Sequence, residues 1–271
     1  MLRGKIIDSH VHAYSRKELD VLSKSMKKAG IAKSIMLYWP GIPPVKTPSL
    51  QETIANVSRH KNIFMAGSLK ISDFENIGKN CALLETALKK RQIIGIKLMT
   101  GYEPVYPNDP RLEPVYELAS KFRVPVLFHM GDTWSGVPGA KVRFAQPLYV
   151  DDVAVDYPKL KLVICHLGNP WIMDSAEVLY KNKNVYADMS GILSFPGRYE
   201  KFSNALLHEK ILGFIGFVGK PKILFGSDYF GKHLYSQEQC VEFLEGFTEL
   251  SKQEIMQVAC KNAEKLFDLS D

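Results

Sequence analysis

Ile6-Ile7-Asp8-Ser9-His10-Val11-His12 is the stretch on which the reading turns. Apolar positions frame two histidines spaced i and i+2. Strand side chains alternate with period two, so His10 and His12 share a face and can reach one metal ion. A lone His-x-His also fits surface or hydrogen-bonded histidines. Its weight depends on how the other strands end.

The chain has 271 residues, 46% hydrophobic and 24% charged, which is ordinary globular composition. That length suits two average domains or one α/β barrel of about 250 residues. The 35 basic and 29 acidic residues leave +6. The lysines are scattered, with no like-charge block, so nucleic acid is not an expected partner. Cys81, Cys165, Cys240 and Cys260 are far apart and form no C-x-x-C. Buried free thiols and no signal peptide point to a reducing, cytoplasmic compartment. No run of 18 apolar residues occurs, so no membrane span is expected.

Apolar runs predict strands at Lys5–His10, Ser34–Trp39, Ile63–Leu69, Ile93–Leu98, Val124–His129, Leu160–His166, Val185–Met189 and Ile223–Ser227. Helical periodicity lies between them. Leu19, Leu22 and Met26 share a face before Gly30, and Leu83, Leu84, Ala87 and Leu88 repeat likewise. Ser49…Glu52 and Ser251…Glu254 read as capping boxes. Asp109-Pro110 reads as an N-cap followed by proline at the first helical position. Later helices are expected at Val150–Tyr157, Ile172–Tyr180, Tyr199–Leu212 and Gln237–Leu250, then one carrying Ile255, Val258, Ala259, Ala263 and Leu266 inward.

Eight strands alternating with eight helices predict an α/β, single-domain (β/α)8 TIM barrel over residues 1–271. A doubly wound sheet is the alternative. That fold more often carries a Gly-rich loop after its first strand, where this chain has histidines. Gly41–Pro48 and Gly101–Pro110 sit where a barrel places its substrate loops.

The predicted strands end in chemistry. The first ends in His10 and His12, the fourth presents Lys97, and the fifth and sixth end in His129 and His166. The eighth ends in Asp228. In a barrel these ends meet at one rim, where active sites of this fold lie. A core histidine has no reason to prefer one end of every strand, whereas a shared metal does. Imidazoles plus a carboxylate suit a divalent transition metal, zinc above all. We expect it on His10, His12 and Asp228, with His129 as a further ligand.

The order Asp8-Ser9-His10-Val11-His12, Gly95-Ile96-Lys97, Val126-Leu127-Phe128-His129-Met130-Gly131, Ile164-Cys165-His166-Leu167-Gly168 and Leu224-Phe225-Gly226-Ser227-Asp228-Tyr229 resembles the amidohydrolase superfamily. Asn262-Ala263-Glu264-Lys265-Leu266-Phe267 completes the resemblance. It is closest to the amidohydrolase-related branch that includes aminocarboxymuconate-semialdehyde decarboxylase. The resemblance implies a distorted barrel and a catalytic metal. His10, His12 and His129 would be ligands. Asp228 would be a ligand that also moves a proton. His166 would polarise the substrate or help the attacking water in one-metal relatives, and would bind a second ion in two-metal ones. Many relatives have two glycines after the sixth-strand histidine, and here Leu167-Gly168 follows.

Lys97 has three readings: a carboxylated bridge between two metals, a substrate or acid partner in a one-metal site, or a structural residue. One ion is favoured. The expected activity is hydrolysis of a small amide, ester or lactone. Asp228 would act as general base, and His166 or Lys97 would stabilise the oxyanion. The alternative is a non-oxidative decarboxylase, for which Arg111, Arg143, Lys97 and Lys232 are the candidate carboxylate holders. A TatD-type nuclease has glutamate where this chain has Lys97. A homodimer is open, as it is common in the related branch.

Trp39, Trp134 and Trp171 follow strands and either line a substrate pocket or roof the barrel. Asp8 is either a metal-site acceptor or the partner of a strand-end amide. Asp132 and Thr133 are placed to orient His129 or touch substrate. Asp188 is a candidate ion-pair partner for Lys97. Tyr229 and His233 are candidates for substrate contact, and His60 and His208 are expected away from the rim.

Overall fold

A computed structural model describes residues 2–43, 45–193, 197–231 and 235–269. Lys232 and His233 lie outside the described residues. Strand and helix alternate as β1 (Ile6–Val11), α1 (Arg16–Ala29), β2 (Ile31–Leu37), α2 (Leu50–Val57), β3 (Ile63–Ser68) and α3 (Ile77–Lys89). The series continues through β4 (Ile96–Leu98), α4 (Glu113–Phe122), β5 (Val126–Phe128), α5 (Tyr149–Asp156) and β6 (Leu162–Ile164). It is completed by α6 (Ile172–Lys181), β7 (Val185–Asp188), α7 (Glu200–Val218), β8 (Ile223–Leu224) and α8 (Gln237–Glu245). All neighbours pair in parallel, in the order β1 to β8. Backbone bonds close the seam: Ser9 N to Phe225 O (2.9 Å), Asp228 N to His10 O (2.9 Å) and His12 N to Tyr229 O (2.7 Å). The expected (β/α)8 barrel is present.

Local chemistry explains the elements. Ser15 and Glu18 form a reciprocal capping box at the start of α1, and Gly30 ends that helix at φ 72°. A side chain on Gly30 would meet Arg3 Cγ at 2.5 Å, so only glycine fits. Ser251 and Glu254 also form both halves of a box, while Ser49 caps α2 by accepting from Glu52 N. Leu83 is exposed rather than inward; Cys81 instead joins Leu84, Ala87 and Leu88 on the buried face of α3. α7 runs further than its sequence suggested, to Val218, and α8 stops at Glu245 before Gly246.

Period-two alternation sorts the strand residues. Ile7, Ile35, Leu37, Ala66, Leu127, Val163 and Leu224 share the inner cluster. Ile6, Met36, Met65, Ile96, Leu98, Val126, Phe128 and Ile164 belong to the outer one. Lys97, between two outward residues, is fully buried. β1 slips in register against β2 between Asp8 and Val11. β5, β6 and β8 end before their predicted last residues, where the rim residues begin, and β4 starts later than predicted, at Ile96 rather than Ile93.

One end of the barrel is filled by α9 (Lys252–Met256), a π-helical turn (Gln257–Lys261) and α10 (Asn262–Phe267). Val258 C=O lies in that turn and accepts from Phe225 N at 3.0 Å. Ala263, Leu266 and Phe267 join the inner cluster. Asn262 Nδ2 donates to Pro221 O and Ile223 O, each at 2.7 Å. This gives the Asn262 motif its physical meaning: the amide ties α10 to the start of β8. Among the described residues, no helix is long and apolar enough to cross a membrane.

Two outcomes follow for stability. Asn262→Ala leaves two buried carbonyls without a donor and lowers unfolding free energy by about 2 kcal/mol, read as an earlier urea midpoint. Lys222 donates to Leu179 O and Asn182 O at the end of α6, and burial lowers its pKa to about 8. The folded chain then holds fewer protons than the unfolded one between about 8 and about 10.5, so stability rises with pH across that window. Lys222→Met should lack that rise in pH-dependent denaturation.

Candidate active site

Each rim histidine has one ring nitrogen against an acceptor that has no proton to give. His12 Nδ1 lies 2.9 Å from Leu37 O, His129 Nε2 2.9 Å from Asp132 O, and His166 Nδ1 2.9 Å from Ser190 O. A carbonyl can only accept, so these nitrogens carry the proton. His10 Nδ1 faces Asp188 Oδ2 at 2.9 Å and donates to it in the same way. The tautomers follow from the partners. In a neutral ring the opposite nitrogen, His10 Nε2, His12 Nε2, His129 Nδ1 or His166 Nε2, keeps its lone pair.

Those nitrogens meet in two groups. His10 Nε2 and His12 Nε2 lie 3.4 Å and 3.3 Å from Asp228 Oδ1. His166 Nε2 lies 3.1 Å from His129 Nδ1. Neutral rings placed this way turn lone pairs toward one another and suit a positive charge. Burial drives the His10 pKa down to about 3. Burial, with the neighbouring His166 and Lys97, holds His129 well below the usual imidazole range. Neutral imidazoles beside a carboxylate are the protonation state that a divalent metal requires. The donor atoms of His10, His12 and Asp228 all lie within 4.8 Å of one another and fit such an ion.

Asp188 and Ser190 bind the strand ends together. Asp188 Oδ1 accepts from His166 N at 2.9 Å and Ser190 N at 3.0 Å. Burial pushes its carboxyl up, but His10, His166 and Lys97 together outweigh that and hold it well below the usual range. Ser190 Oγ donates to Asp188 and lies 2.8 Å from His10 Nδ1 and 2.9 Å from His166 Nδ1. His166, Leu167 and Asp228 adopt left-handed φ values of 59°, 52° and 57°. Each costs about 1–2 kcal/mol in a non-glycine residue. The bonds from His166 N to Asp188 and from Asp228 N to His10 O hold two of them. Leu167 thus carries a side chain in the left-handed turn after His166. Gly191 has no such freedom, since a side chain there would meet Asp228 Oδ2 at 2.7 Å.

Lys97 reaches Cys165 Sγ at 2.9 Å. The candidate Lys97–Asp188 ion pair does not form among the described residues; Asp188 is held by His10 instead. Asp8 takes the strand-end role, accepting from Ser227 N, Ser227 Oγ and Gln237 Nε2 at 2.6–2.9 Å. Burial raises its pKa to about 6. His60 and His208 lie beside Asp20 and Glu249, and neither lines the rim cavity.

The histidines floor a cavity of about 720 Å³. Trp39, Tyr102, Trp134, Phe230, Tyr235 and Phe243 form much of its wall, with Asp132 and Thr133 at its edge. Trp171 and Tyr229 are not part of it. Trp39 Nε1 and the Tyr235 hydroxyl are buried donors without a partner among the described residues. Sequence reasoning missed Ser190, Gly191, Tyr14 and Tyr102. Tyr14 OH sits 2.8 Å from His12 Nδ1, and Tyr102 stacks 4.5 Å from the His129 ring. The available signal was Asp188-Met189-Ser190-Gly191, which follows β7 as the histidines follow their own strands.

Asp188→Asn tests this arrangement. The amide oxygen stays on the two backbone N–H groups, so its NH2 faces His10 Nδ1 and moves the ring proton to Nε2. Zinc affinity should fall about 10–100-fold with the fold intact, as read by metal titration beside circular dichroism. Unchanged affinity would show that Asp188 does not set the His10 tautomer.

A family model described as Amidohydrolase matches residues 81–269. No curated protein sequence matches this chain. Among solved structures, an uncharacterized TIM-barrel protein from Bordetella bronchiseptica is similar at 19% identity and TM-score 0.74, covering 97% of this chain and 98% of that one. A 5-carboxyvanillate decarboxylase from Novosphingobium aromaticivorans, complexed with manganese and 4-hydroxy-3-methoxy-5-nitrobenzoic acid, is similar at 14% identity and TM-score 0.69, covering 99% of both chains. A dihydroorotase from Campylobacter jejuni is similar at 21% identity and TM-score 0.64, covering 99% of this chain and 84% of that one. With a family match that spans β4 to α10 and takes in His129, His166 and Asp228, the chain belongs to the amidohydrolase family.

Proposed function

We propose that this chain is a metal-dependent hydrolase of a small, uncharged ester, lactone or amide with an apolar or aromatic body. The observation that carries this reading is the set of inward lone pairs flooring an aromatic-walled cavity. His10, His12 and Asp228 would hold the ion, with His129 as a further ligand and His166 beside it. Zinc is our choice for nitrogen donors plus one carboxylate. We favour one ion, because Lys97 is engaged with Cys165 rather than free for carboxylation. A divalent metal supplies Lewis acidity and a source of hydroxide at neutral pH.

The chain's own groups do the rest. Asp228 takes the proton of the attacking water and returns it to the leaving oxygen or nitrogen. His166 accepts a hydrogen bond from that water at Nε2 while Ser190 O holds its other nitrogen. The Lys97 ammonium contributes a positive field beneath the developing oxyanion. Trp39 Nε1 and Tyr235 OH supply donors for an acceptor on the substrate body. Four buried free thiols support a reducing, cytoplasmic setting.

The decarboxylase reading draws on the aromatic walls and on the shared barrel of 5-carboxyvanillate decarboxylase. It needs a holder for the carboxylate. Arg111 is paired with Asp109 and stacked on Phe74, and Arg143 is stacked on Phe144. Among the described residues, Lys97 is the one cationic side chain that lines the cavity. An uncharged substrate suits that wall better, and a polyanion such as nucleic acid suits it least.

A panel of aryl esters, lactones, amides and hydroxybenzoates, with zinc-loaded protein, separates these readings. Acid release from a neutral substrate, lowered about 10²–10⁴-fold by Asp228→Asn, is the expected result. Carbon dioxide release without hydrolysis would replace the hydrolase by a lyase. Full metal content in His10→Ala would remove the ligand assignment.

A further inference from the structure

Lys97 is fully buried, yet its ammonium has a poor partner. Its Nζ donates to Cys165 Sγ at 2.9 Å, and among the described residues no carboxylate or carbonyl accepts from it. Thiol sulfur is a weak acceptor. Lys222, the other buried lysine among the described residues, shows what a structural lysine receives: two main-chain carbonyls at 2.9 and 2.7 Å.

The contact is close for sulfur. Cys240 Sγ to Ser227 O and Cys260 Sγ to Met256 O span 3.9 and 3.4 Å. The Lys97–Cys165 separation is shorter than the about 3–3.5 Å that positions two reacting atoms for attack. The barrel itself enforces it. Lys97 is in register with Leu127 of β5, and Leu127 with Val163 of β6, two residues before Cys165. β4 and β6 are alternate strands, whose inward side chains fill a common layer of the interior.

Cys165 lies one side chain beneath the cavity. Lys97 and His10 line that cavity, and the donor atoms of His10, Cys165 and Asp188 all lie within 4.8 Å of one another. Hydrogen peroxide is little larger than water, and a side-chain hop at this floor admits it to the sulfur. Burial first, and Asp188 next, holds the thiol well above its usual range, so its oxidation is slow. Capture of the oxidised sulfur is fast, because the nitrogen is already in place.

We infer that Lys97 and Cys165 form a reversible sulfenamide cross-link when the protein meets hydrogen peroxide. In the first step the peroxide O–O bond breaks and one oxygen joins Sγ. Sulfur is oxidised by two electrons, the other oxygen leaves as water, and Cys165 becomes a sulfenic acid. Lys97 then gives one proton to solvent and its Nζ lone pair attacks Sγ. The S–N bond forms, the S–O bond breaks, and the hydroxyl leaves as water with a second proton from Nζ. A thiol reverses the link by attacking Sγ and expelling the amine, and a second thiol resolves the mixed disulfide. The linked nitrogen carries no ammonium charge, so the positive field beneath the cavity is lost. That consequence for hydrolysis rests on the proposed function, whereas the cross-link does not.

The test is peroxide treatment of the full-length zinc-loaded protein, tryptic digestion without reductant, and mass spectrometry. The peptides carrying Lys97 and Cys165 should be joined, uncut after Lys97, lighter by two hydrogens than the separate pair, and parted again by glutathione. In Lys97→Met, with no amine to intercept it, Cys165 should go on to sulfinic or sulfonic acid, and Cys165→Ser should give no joined product. Hydrolysis by the wild type should fall about tenfold or more on treatment and return with glutathione. A link formed in a protein that hydrolyses nothing supports the cross-link and counts against the hydrolase reading. Cys165 recovered as a free thiol, Cys165 over-oxidised equally in wild type and Lys97→Met, or a joined product that keeps an added oxygen would each overturn the sulfenamide.

Discussion

A ring nitrogen that donates to a carbonyl cannot also donate to its neighbour. At His12, His129 and His166 that carbonyl is main chain, from Leu37, Asp132 and Ser190, and at His10 it is replaced by the Asp188 carboxylate. The outer bonds therefore decide what the inner nitrogens offer. In neutral rings they turn four imidazoles, each able to donate or accept, into acceptors that line one cavity. The rim depends on this constraint. It brings these nitrogens within 3.1–3.4 Å of a carboxylate oxygen or another ring nitrogen, an arrangement that suits positive charge.

The constraint is mechanical as well as electronic. Asp188 and Ser190 receive bonds from β1 and from the turn after β6, so three strand ends are fixed by one short segment after β7. That segment also holds the left-handed backbone at His166, and His10 O holds it at Asp228. Each strained residue gives its N–H to an anchored acceptor, and relaxing the strain would break a buried bond. Gly191 completes the device by being absent of side chain, which leaves Asp228 room beside it.

Much of this was legible in the chain. The barrel was readable because its strands are apolar runs at regular spacing. His10, His12, His129, His166 and Asp228 were readable because they end those runs, and Lys97 because it interrupts one. What could not be read has a physical reason. The acceptors behind His12, His129 and His166 are backbone carbonyls, which look alike at every position. Their directions come from neighbouring strands and turns. Ser190 carries no marker of its own, since a serine after a strand is ordinary. The π-helical turn that presents Val258 to Phe225 has no distinctive residue either. Leu83 misled because a helical repeat does not say which of two adjacent leucines faces inward.

The seam between β8 and β1 has a kinetic meaning. Ser9 and Phe225, which close it, are 216 residues apart in the chain. β1 is synthesised well before β8, and its outer edge has no strand to pair with until β8 exists. During that interval it presents open backbone donors and acceptors to any strand nearby, its own copies included. Contacts of this span are slow to form, because the loop must close before they are rewarded. The two histidines of β1 therefore take their final positions late, when the far side of the sheet arrives to hold them.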